Sequence, residues 1–157
     1  MNPAIDLSSI IANLQNGSYP LLGVGSGRRV YDLQNDTALK VARNVKGYAQ
    51  NQIEYIISEM DDSPSFAKVL YLSKDNLYLI MEKAEPITDF SQVLDYFKVS
   101  TNRELFALSS LSYIPSKYNL VLTDLCRPVN WGLLQDRPVI IDYGFTGRIR
   151  RQYYSIF

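Results

Sequence analysis

The sequence contains no histidine, and that absence removes more chemistry than any other feature of its composition. Without imidazole there is no Ser-His or Cys-His nucleophile, no histidine zinc centre and no histidine general acid or base. The single cysteine, Cys126, excludes an intramolecular disulfide and a cysteine-cluster metal site. Net charge is also missing: sixteen basic side chains cancel sixteen acidic ones, so no strong field steers the chain towards nucleic acid. Arg148, Arg150 and Arg151 make a local basic patch, which reads as solvated surface before nucleic-acid site. No apolar stretch reaches the ~20 residues of a membrane span. The opening MNPAIDLSSIIANLQNG lacks a basic start and a cleavage signature, so the expected location is the cytoplasm. Any chemistry must rest on carboxylates, lysine and arginine, with or without a bound metal.

What is present suits a soluble globular protein. Of 157 residues, 46% are hydrophobic and 20% charged, enough for one domain or two small lobes sharing a cleft. Ile5, Ile10, Ile11 and Leu14 recur at helical spacing over residues 4–15, and Asn16-Gly17 stops them. Strand-like runs follow at 19–24, 29–33 and 38–43, the last two joined through a turn at Asn35-Asp36. Residues 47–60 read as a helix with Ile53, Ile56, Ile57 and Met60 on one side. Two more strands, 67–73 and 77–83, complete an expected antiparallel meander with one inserted helix. The second half changes character: helical spacing over 90–97 and 102–113, and short buried strands at 120–123 and 139–142. Between those strands, Gln135-Asp136-Arg137-Pro138 makes a turn after Trp131–Leu134.

Three segments carry candidate chemistry. In Leu22-Gly23-Val24-Gly25-Ser26-Gly27-Arg28 the glycines allow a close backbone approach to phosphates, between two strands. A dinucleotide fold would need a helix directly after them, and a P-loop would need Gly-Lys-Ser/Thr; neither is present. A plain glycine-rich hairpin accounts for the run equally well. Lys40, between Leu39 and Val41, either covers a sheet edge with its stem or reaches into a cleft. Finally, Asp124, Asn130 and Asp142 fall at strand ends, with Asn130 and Asp142 brought side by side by a hairpin. That set offers the hard oxygens magnesium prefers, although Asp142-Tyr143-Gly144 also reads as a turn closing a buried strand.

Taken together and in this order, the glycine run, Ala38-Leu39-Lys40-Val41-Ala42, Asp124 to Asn130-Trp131-Gly132 and Val139-Ile140-Ile141-Asp142-Tyr143-Gly144 resemble the protein-kinase-like superfamily. More narrowly the chain is similar to small kinase-like proteins encoded by bacteriophages and mobile elements. The resemblance runs from about Leu21 to Gly147 and implies an α+β fold. An antiparallel five-stranded sheet with one helix would precede a reduced, mostly helical C-terminal lobe. It implies one domain over 1–157, with a lead-in at 1–20, an N-lobe at 21–84 and a C-lobe at 85–157. Gly23, Gly25 and Ser26 would cover the phosphates of ATP, with Arg28 where the family at large has a third glycine. Lys40 would hold the phosphates, with Glu54 as its partner. Glu82 and Ala84 would form the hinge to the adenine. Asn130 and Asp142 would bind magnesium, and Asp124 would be the base for a substrate hydroxyl.

The departures from that pattern are specific. Leu122-Thr123 replaces the usual His-Arg before Asp124, and the interval from Asp124 to Asn130 is one residue longer than usual. Only thirteen residues follow Gly144, so neither a normal activation segment nor the later substrate-binding helices are expected. Two functions of different classes follow. One is a minimal kinase transferring the γ-phosphate of ATP to a hydroxyl of a protein or small molecule. The other is a pseudokinase-type module that binds a host or viral partner protein, in the host cytoplasm if the gene is phage-borne. A third reading, a structural or virion protein that keeps only the fold, rests on fold not fixing function. Aromatic packing is the expected role of the twelve tyrosines, Tyr153 and Tyr154 included.

Overall fold

A computed structural model describes residues 4–154. Helix α1 (Leu7–Gln15) starts at Asp6, whose side chain accepts from the Ser9 backbone N–H, and stops at Asn16. Strands β1 (Leu21–Val24), β2 (Arg28–Asp32) and β3 (Thr37–Ala42) follow, then helix α2 (Val45–Met60), β4 (Val69–Leu72) and β5 (Tyr78–Glu82). The sheet is antiparallel, in the order β1-β2-β3-β5-β4. It is therefore not the simple meander expected. β5, not β4, pairs with β3, and β4 lies at the edge, where α2 packs on it. The β2–β3 turn brings Gln34 and Asp36 to positive φ, and Asp32 accepts from the Gln34 N–H at 2.7 Å. The expected fold class, α+β with a five-stranded antiparallel sheet and one helix on it, is found.

β3 is buried on both faces, which explains its unbroken TALKVA run. On one side Leu39 joins Leu33 and Ile80 beneath Ile10 and Leu14 of α1. On the other side Lys40 points towards α2. Helix α2 is capped by Asn44, whose side chain accepts from the Gly47 N–H. Its buried face is Gly47, Gln50, Asn51, Glu54, Ile57 and Ser58, while Ile56 and Met60 are exposed. Of the apolar stripe expected from Ile53, Ile56, Ile57 and Met60, Ile53 and Ile57 face the core, while Ile56 and Met60 face solvent. Beside them the helix turns a polar stripe, Gln50, Asn51, Glu54 and Ser58, into the protein.

The second half is built from β6 (Glu85–Pro86), α3 (Ser91–Tyr96), α4 (Asn102–Leu105), α5 (Ile114–Tyr118) and α6 (Leu122–Leu125). A 3-10 turn at Pro128–Asn130, the hairpin β7 (Trp131–Leu134) and β8 (Arg137–Ile140), and α7 (Gly147–Tyr154) complete it. Two expectations fail here. The helix over 102–113 is only one turn long at α4, with turns as far as Tyr113. The strand over 120–123 is a single bridge from Leu120 to Thr146, and Leu122–Leu125 is a helical turn. Short apolar runs fit a buried turn as well as a strand, and tertiary packing decided between them. Residues 139–142 pair only as far as Ile140, so Asp142 lies just beyond the strand.

One core joins both halves. Phe66, Leu79 and Met81 from the sheet side pack with Leu105, Ile114, Trp131, Ile140 and Tyr143. Between the halves, Ala67 N donates to Ile140 O at 2.9 Å and Ile140 N donates to Ser65 O at 2.8 Å. Trp131 packs edge-on against Phe90 and donates its indole N–H to Leu125 O at 2.6 Å. No helix among the described residues is long and apolar enough to cross a membrane.

Candidate functional site

Between the sheet and the β7–β8 hairpin lies a cleft of about 420 Å³. Its roof is the turn from Gly25 to Arg28. The Gly25 N–H donates to Arg28 O at 2.8 Å, Arg43 donates to Gly25 O at 2.6 Å, and Asn44 donates to Ser26 O at 2.8 Å. The turn sits directly on α2. A Cβ at Gly47 would come 2.1 Å from Gly27 O, so only glycine lets helix and turn approach so closely. At the mouth, the Ser26 hydroxyl, the Lys46 ammonium and the Tyr154 hydroxyl contact one another pairwise at 2.6 Å. Tyr154 of α7 also packs edge-on against Phe145.

At the back of the cleft is a buried charge cluster. The Lys40 ammonium donates to both Glu54 carboxylate oxygens, at 2.8 and 2.9 Å, and to Ile141 O at 2.7 Å. Glu54 is fully buried, which the Lys40 and Arg28 cations make tolerable. Arg28 Nη2 donates to Glu54 at 2.6 Å and to Asp142 Oδ1 at 3.0 Å, and Nη1 donates to Asn51 Oδ1 at 3.1 Å. Burial pulls the Lys40 ammonium below its ordinary pKa, with Glu54 opposing and Arg28 reinforcing the fall. At Asp142, burial pushes the carboxyl up, but Lys40 and Arg28 outweigh it and hold it below the usual range. Asp124 moves the other way: burial first, then the Asp142 charge, raises it. A carboxylate raised in this way is a stronger base than a free one.

The loop that carries Asp142 is fixed from both sides. Tyr143 is buried against Phe66, with ring centroids 4.7 Å apart, and donates its hydroxyl to Ala67 O at 2.5 Å. Gly144 lies against the Gln50 backbone of α2, where a Cβ would meet the Gln50 carbonyl oxygen at 2.8 Å. Across the hairpin, Ile141 N donates to Asn130 O at 2.8 Å, and this sets Asn130 beside Asp142. Asn130 is buried and donates its side-chain N–H to Asp124 O at 2.7 Å. Arg127 leans over Asp124 at 3.6 Å from an exposed position.

Of the residues singled out in the sequence, Gly25, Ser26, Lys40, Asp124, Asn130 and Asp142 line this one cleft, and Glu54 lies behind Lys40. Gly23, Glu82 and Ala84 do not line it. Gly23 is paired within the sheet to Val30. Glu82 accepts the Lys68 backbone N–H and borders a second hollow with Asp36, Lys83 and Glu85. Ala84 lies against Gly132. Six of the residues singled out therefore meet in one cleft, and Gly23, Glu82 and Ala84 lie apart from it. Sequence reasoning missed the parts played by Arg28, Asn51, Lys46 and Tyr154. Two of these had a signal. Val30 pairs with Lys40, so period-two alternation puts Arg28 on the lysine's side of the sheet. Asn51 is three residues before Glu54, on the same helix face.

The two residues expected to hold magnesium, Asn130 and Asp142, line the cleft together, but one Asp142 oxygen is engaged by Arg28. Magnesium takes carboxylate oxygens with near-ideal geometry, and here a guanidinium already holds Asp142 Oδ1 at 3.0 Å. Among the described residues no group of three or more acidic, cysteine or histidine side chains is placed to hold a metal.

No family model matches the chain, and no characterised protein matches it in sequence. In backbone it is similar to APH(2")-IIa in a ternary complex with streptomycin and ATP, at TM-score 0.49 and 16% identity, covering 92% of this chain and 72% of that one. It is also similar to the PknI kinase domain of Mycobacterium tuberculosis, at TM-score 0.47 and 19% identity, over 82% of this chain. The chain spans only 60% of the length of that domain.

Proposed function

We propose that the cleft binds the phosphates of a nucleoside triphosphate, ATP for a protein-kinase-like site, with Lys40 as the central phosphate cation. The observation that carries this is the position of Lys40. Its ammonium is buried under the Gly25–Arg28 turn, oriented by Glu54 and Ile141 O, in the same cleft as Asp124, Asn130 and Asp142. A lysine that only covered a sheet edge would keep its ammonium in water. The turn above it offers backbone amides and glycines, and phosphates approach such a surface closely. Asp124, raised in pKa and 18% exposed, is the group suited to accept a proton from an attacking hydroxyl.

Thermal unfolding with ATP tests this directly. At a ligand concentration about 100-fold above Kd, binding to the folded state adds ~2.7 kcal/mol, a rise of roughly 5–10 °C in Tm. Lys40→Met should remove the rise while the protein remains folded. No rise with millimolar ATP, with or without magnesium, would sink the proposal.

A second reading, binding without transfer, is favoured by one observation: Arg28 holds the Asp142 carboxylate on which phosphoryl-transfer sites rely. Measured release of ADP from ATP, lost in Asp124→Asn, would reject that reading in favour of a kinase. ATP binding with no turnover would support it.

A further inference from the structure

We propose that Arg28 is the resident cation of the cleft, occupying against Asp142 the position a divalent ion would need, so that phosphates are bound by Arg28 and Lys40 without divalent metal. The inference rests on reading the cleft as a phosphate site, and its first test does not.

Three observations carry it. First, Arg28 is buried, with 6% of its surface exposed, yet it lines the cleft. It is not a surface arginine folded inward. Second, it is held from behind. Asn51 donates its amide to Asn76 O at 2.8 Å and to Leu77 O at 3.3 Å, which turns its oxygen towards Arg28 Nη1. That acceptor belongs to the helix and to the β4–β5 turn, so the guanidinium position is built into the fold. Third, the charges already balance. Lys40 and Arg28 face Glu54 and Asp142, two cations against two carboxylates. A metal at Asp142 Oδ1 would have to displace Arg28, and one at the carboxylate's other oxygen would place its charge close to that guanidinium.

A guanidinium also has capacity to spare. It carries five N–H donors, and the contacts to Asn51, Glu54 and Asp142 use three. Two remain, one on Nε and one on Nη1; with both Nη2 hydrogens taken they can meet a phosphate singly, not as one planar fork. Arginine stays charged at every relevant pH, and the pairing with Glu54 and Asp142 raises its pKa further, although burial opposes it. The ligand class is therefore a phosphate-bearing anion that takes up the donors the guanidinium has left.

The first test uses metal alone. Manganese is titrated into the protein and the free ion is followed by electron paramagnetic resonance. Wild type should show no site up to about 1 mM, whereas Arg28→Ala should gain one that Arg28→Ala/Asp142→Asn loses. If wild type binds manganese and Asp142→Asn abolishes it, the proposal is overturned. Should Arg28→Ala not fold, Arg28→Gln replaces it, removing the charge while keeping a polar side chain.

The second test compares ATP affinity in excess EDTA and in magnesium. Wild type should change by less than about 3-fold, and Arg28→Ala should weaken by about 10-fold or more in EDTA, recovering with magnesium. A wild type that needs magnesium to that extent overturns the proposal. If ATP binds under neither condition, the nucleotide reading fails, and the manganese titration alone decides the part played by Arg28.

Discussion

Glu54 anchors the site at the level of single residues. It is fully buried and accepts from both Lys40 and Arg28. Removing one member of a buried ion cluster leaves the others charged and unpaired, at a cost of about 3–5 kcal/mol. Glu54→Ala should therefore lower the free energy of unfolding in urea by about 3 kcal/mol, beyond what an exposed pair contributes. Glu54 was legible beforehand only through its company. On its own it reads as a solvated helical glutamate, and the glycine run, Lys40 and Asp142 gave it a partner. Arg28 was not legible in the same way. The resemblance marked the place as one where glycine is usual, and an arginine at the start of a strand reads as surface. Its role depends on Asn51 and Asp142, 23 and 114 residues away in sequence. No local pattern encodes such pairings.

At the scale of elements, α2 holds the site together, and its two ends do different work. Its N-terminal half touches the Gly25–Arg28 turn through Gly47 and the Asp142 loop through Gly144. Gly144→Ala would place a methyl group against the Gln50 backbone, which cannot move without shifting the helix. About 1–3 kcal/mol of destabilisation is expected, measured by chemical denaturation, together with displacement of Asp142 from Arg28. The C-terminal end of α2 is tied down by Asp61, which accepts from the Tyr113 and Tyr118 hydroxyls, both at 2.7 Å. Burial pushes this carboxyl up, but bonds from Ser63, Tyr118 and Tyr113 prevail and bring it down to about 2. A depressed folded-state pKa stabilises above the unfolded value, near 4, and that contribution fades as pH falls from 4 towards 2. The contribution is about 2 kcal/mol. Asp61→Asn should lower stability at neutral pH and flatten the acid limb of the stability profile. Hydrophobic periodicity found α2 as a helix but only half of its buried face, Ile53 and Ile57, because the part towards the cleft is polar by necessity. The same limit explains the second half. Residues 102–113 and 120–123 are apolar and short, so only packing could settle whether they turn, coil or extend.

For the molecule as a whole, the two halves are joined by more than the cleft. Phe66 bridges Ile140, the main core crosses between the halves, and Lys40 reaches Ile141 O. The five-stranded sheet was readable from alternation and turns, although its strand order was not, since β4 and β5 form the same hairpin in either order. The junction between halves was not readable at all. The buried Trp131 gives this arrangement a practical consequence. It is the sequence's only tryptophan, seated beneath Phe90 in the second half, next to Asn130 of the cleft floor. The protein thus carries its one tryptophan at the junction of core and cleft. Its blue-side emission reports the packing of that half, and a label-free optical titration can follow the cleft floor through this one side chain.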